Sequence, residues 1–138
     1  MRAKFPQKAD YLRKPLRSYK EGRLNPLFTD QVVSISFIDE VVVALDIIIE
    51  KGLKGVLHAG SHDRVKFDEL INYFLTAVVG EAKTTSWSIK DFWKTGASPV
   101  RYPMCGGLCV EESEGRLGMK FSSWKEIVAK HVEQGVGE

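Results

Sequence analysis

The sequence predicts a small α/β domain built from short strands and three to four helices. Apolar residues recur at helical spacing in several segments, and short alternating or β-branched runs lie between them. The strands are few, two or three in 138 residues, which is too few for a self-sufficient sheet.

The first helix is expected over residues 9–21, where Tyr11, Leu12, Leu16 and Tyr19 share one face and Gly22 follows as a stop. Pro15 lies inside it, removes a backbone donor and is expected to bend or break it. Asn25-Pro26 marks a turn. Val32 to Phe37 alternates apolar and small polar residues and reads as a strand. Asp39 is placed to open a helix, since its carboxylate can accept from unpaired N–H groups.

Residues 39–51 carry a conflict. Val41, Val42, Val43, Ile47, Ile48 and Ile49 favour strand by propensity. Length, an acidic start, Lys51 and terminal Gly52 favour helix, and helix is the reading adopted. Such a helix is apolar on most faces and needs cover on more than one side, so it predicts an exposed adhesive surface or an oligomer.

Gly55 to Ala59 reads as a short buried strand closed by Gly60. Phe67, Leu70, Ile71, Phe74, Leu75 and Val78 then fall at i, i+3, i+4, i+7, i+8 and i+11, the clearest helical signal in the chain, ended by Gly80. A strand is expected within Thr84–Ile89, followed by a loop holding Gly96, Pro99 and Pro103. Ser123 with Glu126 three residues on is a capping box, opening a last helix through Ile127, Val128, His131 and Val132.

No stretch approaches the ~20 apolar residues of a membrane span, and Asp46 interrupts the run Val41 to Ile49. The first residues lack the apolar core of a secretory signal. Two cysteines make no disulfide framework, so a cytoplasmic, reduced protein is expected, with no membrane partner. The net charge of +2 hides an asymmetry: residues 1–23 carry eight Lys/Arg against Asp10 and Glu21, and the remainder is net acidic. A basic segment can bind phosphates, although a solvated helix face explains it as simply. Phe5, Tyr11 and Tyr19 only partly supply the interleaved aromatics of a nucleic-acid surface, and no such motif is present, so no nucleic-acid partner is expected.

His58 and His62 are four apart, as are Cys105 and Cys109, which raises a Cys₂His₂ zinc site. Gly60 and the strand end at Ala59 prevent a helical His pair, and C-x₃-C is looser than C-x₂-C, so packing is the preferred reading and no metal is expected. Cys105 beside Gly106-Gly107 lacks an identifiable base, and an ordinary turn accounts for the glycines. Trp87, Trp93 and Trp124, with Phe92 and Tyr102, are suited to stacking on a base or sugar but equally to packing.

Six stretches occur in an order that resembles the C-terminal, substrate-side region of extended short-chain dehydrogenases/reductases, especially the dTDP-4-dehydrorhamnose reductase branch. They are Phe5-Pro6, Lys20-Glu21-Gly22-Arg23, Asp30-Gln31, Ser36 to Val41, Gly55-Val56-Leu57-His58-Ala59-Gly60, and Arg116 to Phe121. The pattern is also similar to the regulatory subunit of methionine adenosyltransferase, which is not primarily an enzyme. The resemblance implies a single substrate-binding-type domain over 1–138, with the basic segment 1–24 packed on it, and without the Rossmann domain.

It further implies a nucleotide-sugar ligand held on the face toward that domain, by Phe5, Lys8, Gln31 and Arg101, with Arg17 for a phosphate. The family's activity also needs a glycine-rich turn for NAD(P) and a Tyr-x-x-x-Lys pair. Neither occurs: Tyr11 and Lys14 are three apart and precede Pro15, Tyr19-Lys20 fails likewise, and the family's Arg-Pro segment is altered to Ser98-Pro99-Val100-Arg101-Tyr102-Pro103. No catalytic residue is therefore expected in this chain. NADPH or NADH would enter only with a Rossmann-domain partner, and a homodimer is the other arrangement expected. A non-enzymatic interaction or regulatory module is the alternative function.

Overall fold

The computed structural model describes residues 10–135. Helix α1 spans Arg13–Lys20. The Asp10 carboxylate accepts from the N–H groups of Leu12 and Arg13 and starts it. Pro15 does not break this helix, contrary to expectation. It sits in the first turn, where the missing donor disrupts little. Leu12 and Leu16 are buried.

Four strands of two residues each follow the chain: β1 Leu27–Phe28, β2 Val32–Val33, β3 Val65–Lys66 and β4 Ser86–Trp87. β1 pairs with β4 in parallel, and β2 pairs with β3 antiparallel, with Val32 also bridging to Cys105. Only the first two residues of the expected 32–37 strand pair in this way. The expected strand at Gly55–Ala59 is not one: Gly55 sits in a bend at φ 91°, and the residues after it pair with no strand among the described residues. β1 and β3 were not expected, and each owes its existence to a partner tens of residues away.

Helix α2, Ile38–Lys51, resolves the conflict over residues 39–51 in favour of helix. Asp39 and Glu40 occupy its first turn, and Gly52 ends it in the left-handed conformation, φ 57°. Helix α3, Phe67–Val79, matches the periodicity: Leu70, Ile71, Phe74 and Leu75 have no solvent exposure. Helix α4, Ile89–Lys94, falls partly in the expected loop, and α5, Glu111–Leu117, was not expected. Helix α6, Trp124–Glu133, starts with the complete Ser123–Glu126 capping box.

The main core joins Leu12 and the α1 residue Leu16 to Leu27, Val33, Ile35 and Val65, the inner face of α3, and Trp124, Ile127 and Val128 of α6. A smaller cluster of Ala44, Val110, Leu117 and Phe121 holds α2 to α5. α2 is poorly covered: Ala44 alone is buried on it, while Ile38, Val42, Val43, Leu45 and Ile49 are about half or more exposed. No helix among the described residues is long and apolar enough to cross a membrane.

Candidate functional site

Asp30 and Gln31, in the link between β1 and β2, organise one face of the molecule. Asp30 Oδ1 accepts from the Ile89 N–H at 2.6 Å, and Oδ2 accepts from the Ser88 hydroxyl at 2.7 Å. Asp30 thus holds the first turn of α4, whose N-cap is Ser88 itself. Desolvation pushes the Asp30 pKa up, but the bonds from Ile89 and Ser88 outweigh it and hold the carboxyl below its usual range. The Gln31 side-chain nitrogen donates to the Pro103 carbonyl at 2.9 Å, and the Gln31 backbone carbonyl accepts from Phe67 N–H. Val32 bonds to Met104 and Gly106 on the same loop. The loop after α4 is therefore anchored to β2.

These anchors bring aromatic rings from five segments together. Phe28 lies 5.2 Å from Phe92 and 6.5 Å from Phe67, centroid to centroid. Phe92 meets Trp87 edge-on at 5.5 Å and Tyr102 at 5.1 Å. Tyr11 extends the row against Phe67 at 5.9 Å. Trp93 Nε1 donates to the Tyr102 carbonyl and fixes that ring's backbone. The exposed Arg101 guanidinium lies 5.8 Å from the Tyr102 ring centroid, within cation–π range. Phe28, Phe67, Phe92 and Tyr102 are all partly exposed, and Trp87 is 38% exposed. The result is a surface of ring edges and faces bordered by a cation, suited to a planar ring carrying an anionic group.

Gln31 and Arg101 thus fall on one face, joined through the 101–103 loop. Gln31 spends its amide nitrogen on that loop, so much of its role is positional. Arg17 is placed apart from this linkage, in an exposed pair with Glu21 at 3.2 Å on the last turn of α1. Phe5 and Lys8 lie outside the described residues. The sequence reading noted Phe92 and Tyr102 as stacking candidates but missed Phe28, which only its parallel pairing to β4 brings there.

The remaining reactive groups are engaged elsewhere. His62 Nδ1 lies 3.0 Å from both Glu114 carboxylate oxygens, beside an open cleft of about 380 Å³ that is also lined by Lys120, Ser123 and Glu126. Glu40 accepts from Ser122 and from Lys130 at 2.8 Å, tying α2 to α6. Desolvation pushes the Glu40 pKa up, and these bonds bring it below the usual value. His58 Nδ1 lies 3.3 Å from the Cys109 carbonyl, whereas His62 is held by Glu114. The four residues considered for zinc do not gather, and no group of three or more His, Cys, Asp or Glu forms a metal cage among the described residues.

No family model matches the chain, and no curated protein matches it in sequence. Its fold is similar to the crystal structure of dTDP-4-dehydrorhamnose reductase from Bacillus anthracis in complex with NADP, with a TM-score of 0.72 at 15% identity. The match covers 92% of this chain and 44% of that one. The chain spans less than half the length of that enzyme, and the likeness is one of fold.

Proposed function

We propose that the chain is the nucleotide-sugar-binding portion of a dTDP-4-dehydrorhamnose reductase-like protein, corresponding to the C-terminal region of such an enzyme. The observation that carries this reading is the fold similarity over 92% of the chain to less than half of a reductase bound to NADP. The aromatic face supports it. A nucleotide sugar offers a planar base for Phe28, Phe92 and Tyr102 and a diphosphate for Arg101, while Gln31 sets the loop that carries them. Phe5 and Lys8 are proposed to complete the contacts, with Arg17 toward a phosphate.

Hydride transfer would need a glycine-rich NAD(P) turn and a Tyr-x-x-x-Lys pair, which residues 1–138 do not contain. In this reading the chain binds and orients the sugar nucleotide, and an NAD(P)-binding domain supplies the cofactor and the proton donor. The half-exposed outer side of α2 favours a second reading, a non-enzymatic interaction or regulatory module of the same fold.

Isothermal titration of the chain with dTDP-rhamnose and with dTDP separates the two. Micromolar binding, about −8 kcal/mol, is expected if the ligand half is preformed. Tyr102→Ala and Arg101→Ala should each weaken it about tenfold. Absence of heat at millimolar ligand would sink the sugar-nucleotide reading and leave the interaction module.

A further inference from the structure

We infer that His62 is a covalent modification site, whose imidazole Nε2 accepts a phosphoryl group from a small acyl phosphate in the cleft at the start of α6. The inference goes beyond the proposed function, and the site shares no residue with the aromatic face.

The first observation is how the ring is held. Both carboxylate oxygens of Glu114 lie 3.0 Å from His62 Nδ1. An ionised carboxylate only accepts hydrogen bonds, so Nδ1 carries the proton and the lone pair sits on Nε2. Glu114 is itself fixed. Its Oε1 also accepts from Phe121 N–H at 2.9 Å, and its side chain is only 11% exposed. Nε2 has no hydrogen-bond partner among the described residues, and His62 lines the open cleft. A carboxylate behind an imidazole fixes the tautomer and the ring orientation, and it raises the basicity of the other nitrogen.

The second is that the loop 60–64 is tied down without the ring. Ser61 N–H donates to the Ile35 carbonyl at 2.6 Å, and His62 N–H donates to the Ser122 carbonyl at 3.0 Å. The Asp63 carboxylate accepts from Trp124 N–H at 2.8 Å. Backbone bonds and Asp63 thus place the loop, and the imidazole is left to face the cleft.

The third is the charge beside Nε2. Lys120 is exposed, lines the same cleft and has no ion-pair partner among the described residues. Its ammonium is available to the oxygens of an anionic group. Glu126 also lines the cleft, but its Oε2 is spent on the Ser123 N–H and hydroxyl, at 2.7 and 2.8 Å. A basic nitrogen beside a lysine suits an electrophile that carries negative charge.

The step balances without a further reactant. Nε2 attacks phosphorus, and the bond from phosphorus to the acyl oxygen breaks, its electron pair leaving on the released carboxylate. Nδ1 keeps its proton, so the ring becomes an imidazolium. Glu114 stabilises that charge as it forms, as a carboxylate does behind any imidazole that gains a bond at its far nitrogen. The products are Nε2-phosphohistidine and a free carboxylate.

The test incubates the full chain with acetyl phosphate and follows each histidine by peptide mass spectrometry at neutral pH. Phosphorus–proton NMR identifies the ring nitrogen that is modified. The other two histidines are internal comparisons. His58 is exposed, and its Nδ1 lies 3.3 Å from the neutral Cys109 carbonyl. The His131 side chain is 17% exposed and lies 3.5 Å from Asp10. Exposure alone would make His58 the fastest. The expected result is His62 phosphorylated on Nε2 at least tenfold faster than either. Glu114→Gln can still accept from Phe121 N–H, and it should slow His62 at least tenfold while leaving His58 and the circular dichroism spectrum unchanged. Lys120→Ala should raise the acetyl phosphate concentration for half-maximal rate several-fold. His58 reacting as fast as His62, phosphorus on Nδ1, acetylation of His62 in place of phosphorylation, or a rate indifferent to Glu114→Gln would overturn the inference. Should Glu114→Gln fail to fold, the ratio of His62 to His58 in the unaltered chain decides the matter alone.

Discussion

Asp30→Ala is the substitution that most directly probes how the aromatic face is held. It deletes two hydrogen bonds to a carboxylate, at 2.6 and 2.7 Å, and strands the N–H of Ile89, a residue with no solvent exposure. Bonds to charged groups contribute about 1.5–3 kcal/mol each, but Ser88 can turn its hydroxyl elsewhere, so a loss of about 2–3 kcal/mol is expected. For a domain of this size that lowers Tm by about 8 °C. Asp30→Asn keeps an acceptor for Ile89 but not the charge, and should cost about 1 kcal/mol.

The sign of the pH dependence follows from the lowered pKa of Asp30 in the fold. A carboxylate depressed by folding stabilises fully above its unfolded value, near 3.9, and loses that contribution as pH falls through the folded value. The gap in Tm between the wild type and Asp30→Ala should therefore be full at pH 7 and shrink below about pH 4. Thermal unfolding followed by far-ultraviolet circular dichroism at pH 7, 5 and 3 measures it. Trp93 fluorescence reports whether the Tyr102 loop loosens in the variant. A stability change below 0.5 kcal/mol at pH 7, or a gap that persists undiminished at pH 3, would refute the idea that Asp30 anchors α4 as an ionised group.

Other expectations rest on equally local geometry. Phe74→Ala removes a fully buried ring of α3 and should cost about 3–5 kcal/mol, visible as a lower urea midpoint at unchanged slope. Glu40→Gln, read by chemical denaturation, should lose about 1 kcal/mol at neutral pH, since Lys130 is partly in solvent. That difference should also fade as acid protonates the wild-type Glu40, whose folded pKa is lowered, below about pH 4. Gly107→Ala puts a Cβ 2.7 Å from Cδ of Arg64, so it should destabilise by about 1 kcal/mol. Arg64→Ala in the same chain should relieve that cost, and a double-mutant cycle with no coupling would contradict the contact.

What could be read from the sequence follows the range of the forces involved. The α3 helix is legible because its apolar residues lie three and four apart and are all satisfied by one core. The capping box of α6 is legible because Ser123 and Glu126 act within one turn. Strands β1 and β3 are not legible, because a two-residue strand has no periodicity and exists only through its partner. The aromatic face was half visible. Phe92 and Tyr102 stand out by composition, but Phe28 joins them only because β1 pairs with β4, with Phe28 opposite Trp87. The resemblance singled out Asp30-Gln31 as a pair. The geometry uses both to hold α4 and the loop after it, a role that no spacing rule assigns.

The single misjudged strand carries the most information. Residues 55–59, Gly-Val-Leu-His-Ala, read as a short buried strand, yet Gly55 bends the chain at φ 91° and no strand lies beside it among the described residues. Propensity alone cannot complete a sheet, because a strand needs a partner for its second edge. The helix just before it shows the same deficit in side chains, with an apolar stripe that nothing within residues 10–135 covers. Two failures of different kinds, one in backbone pairing and one in apolar burial, thus occur in adjoining segments. On the aromatic face the rings contact one another, although Trp87 and Tyr11 stay 38% and 51% exposed. It is in α2 and the segment after it that local sequence preference and local structure part company.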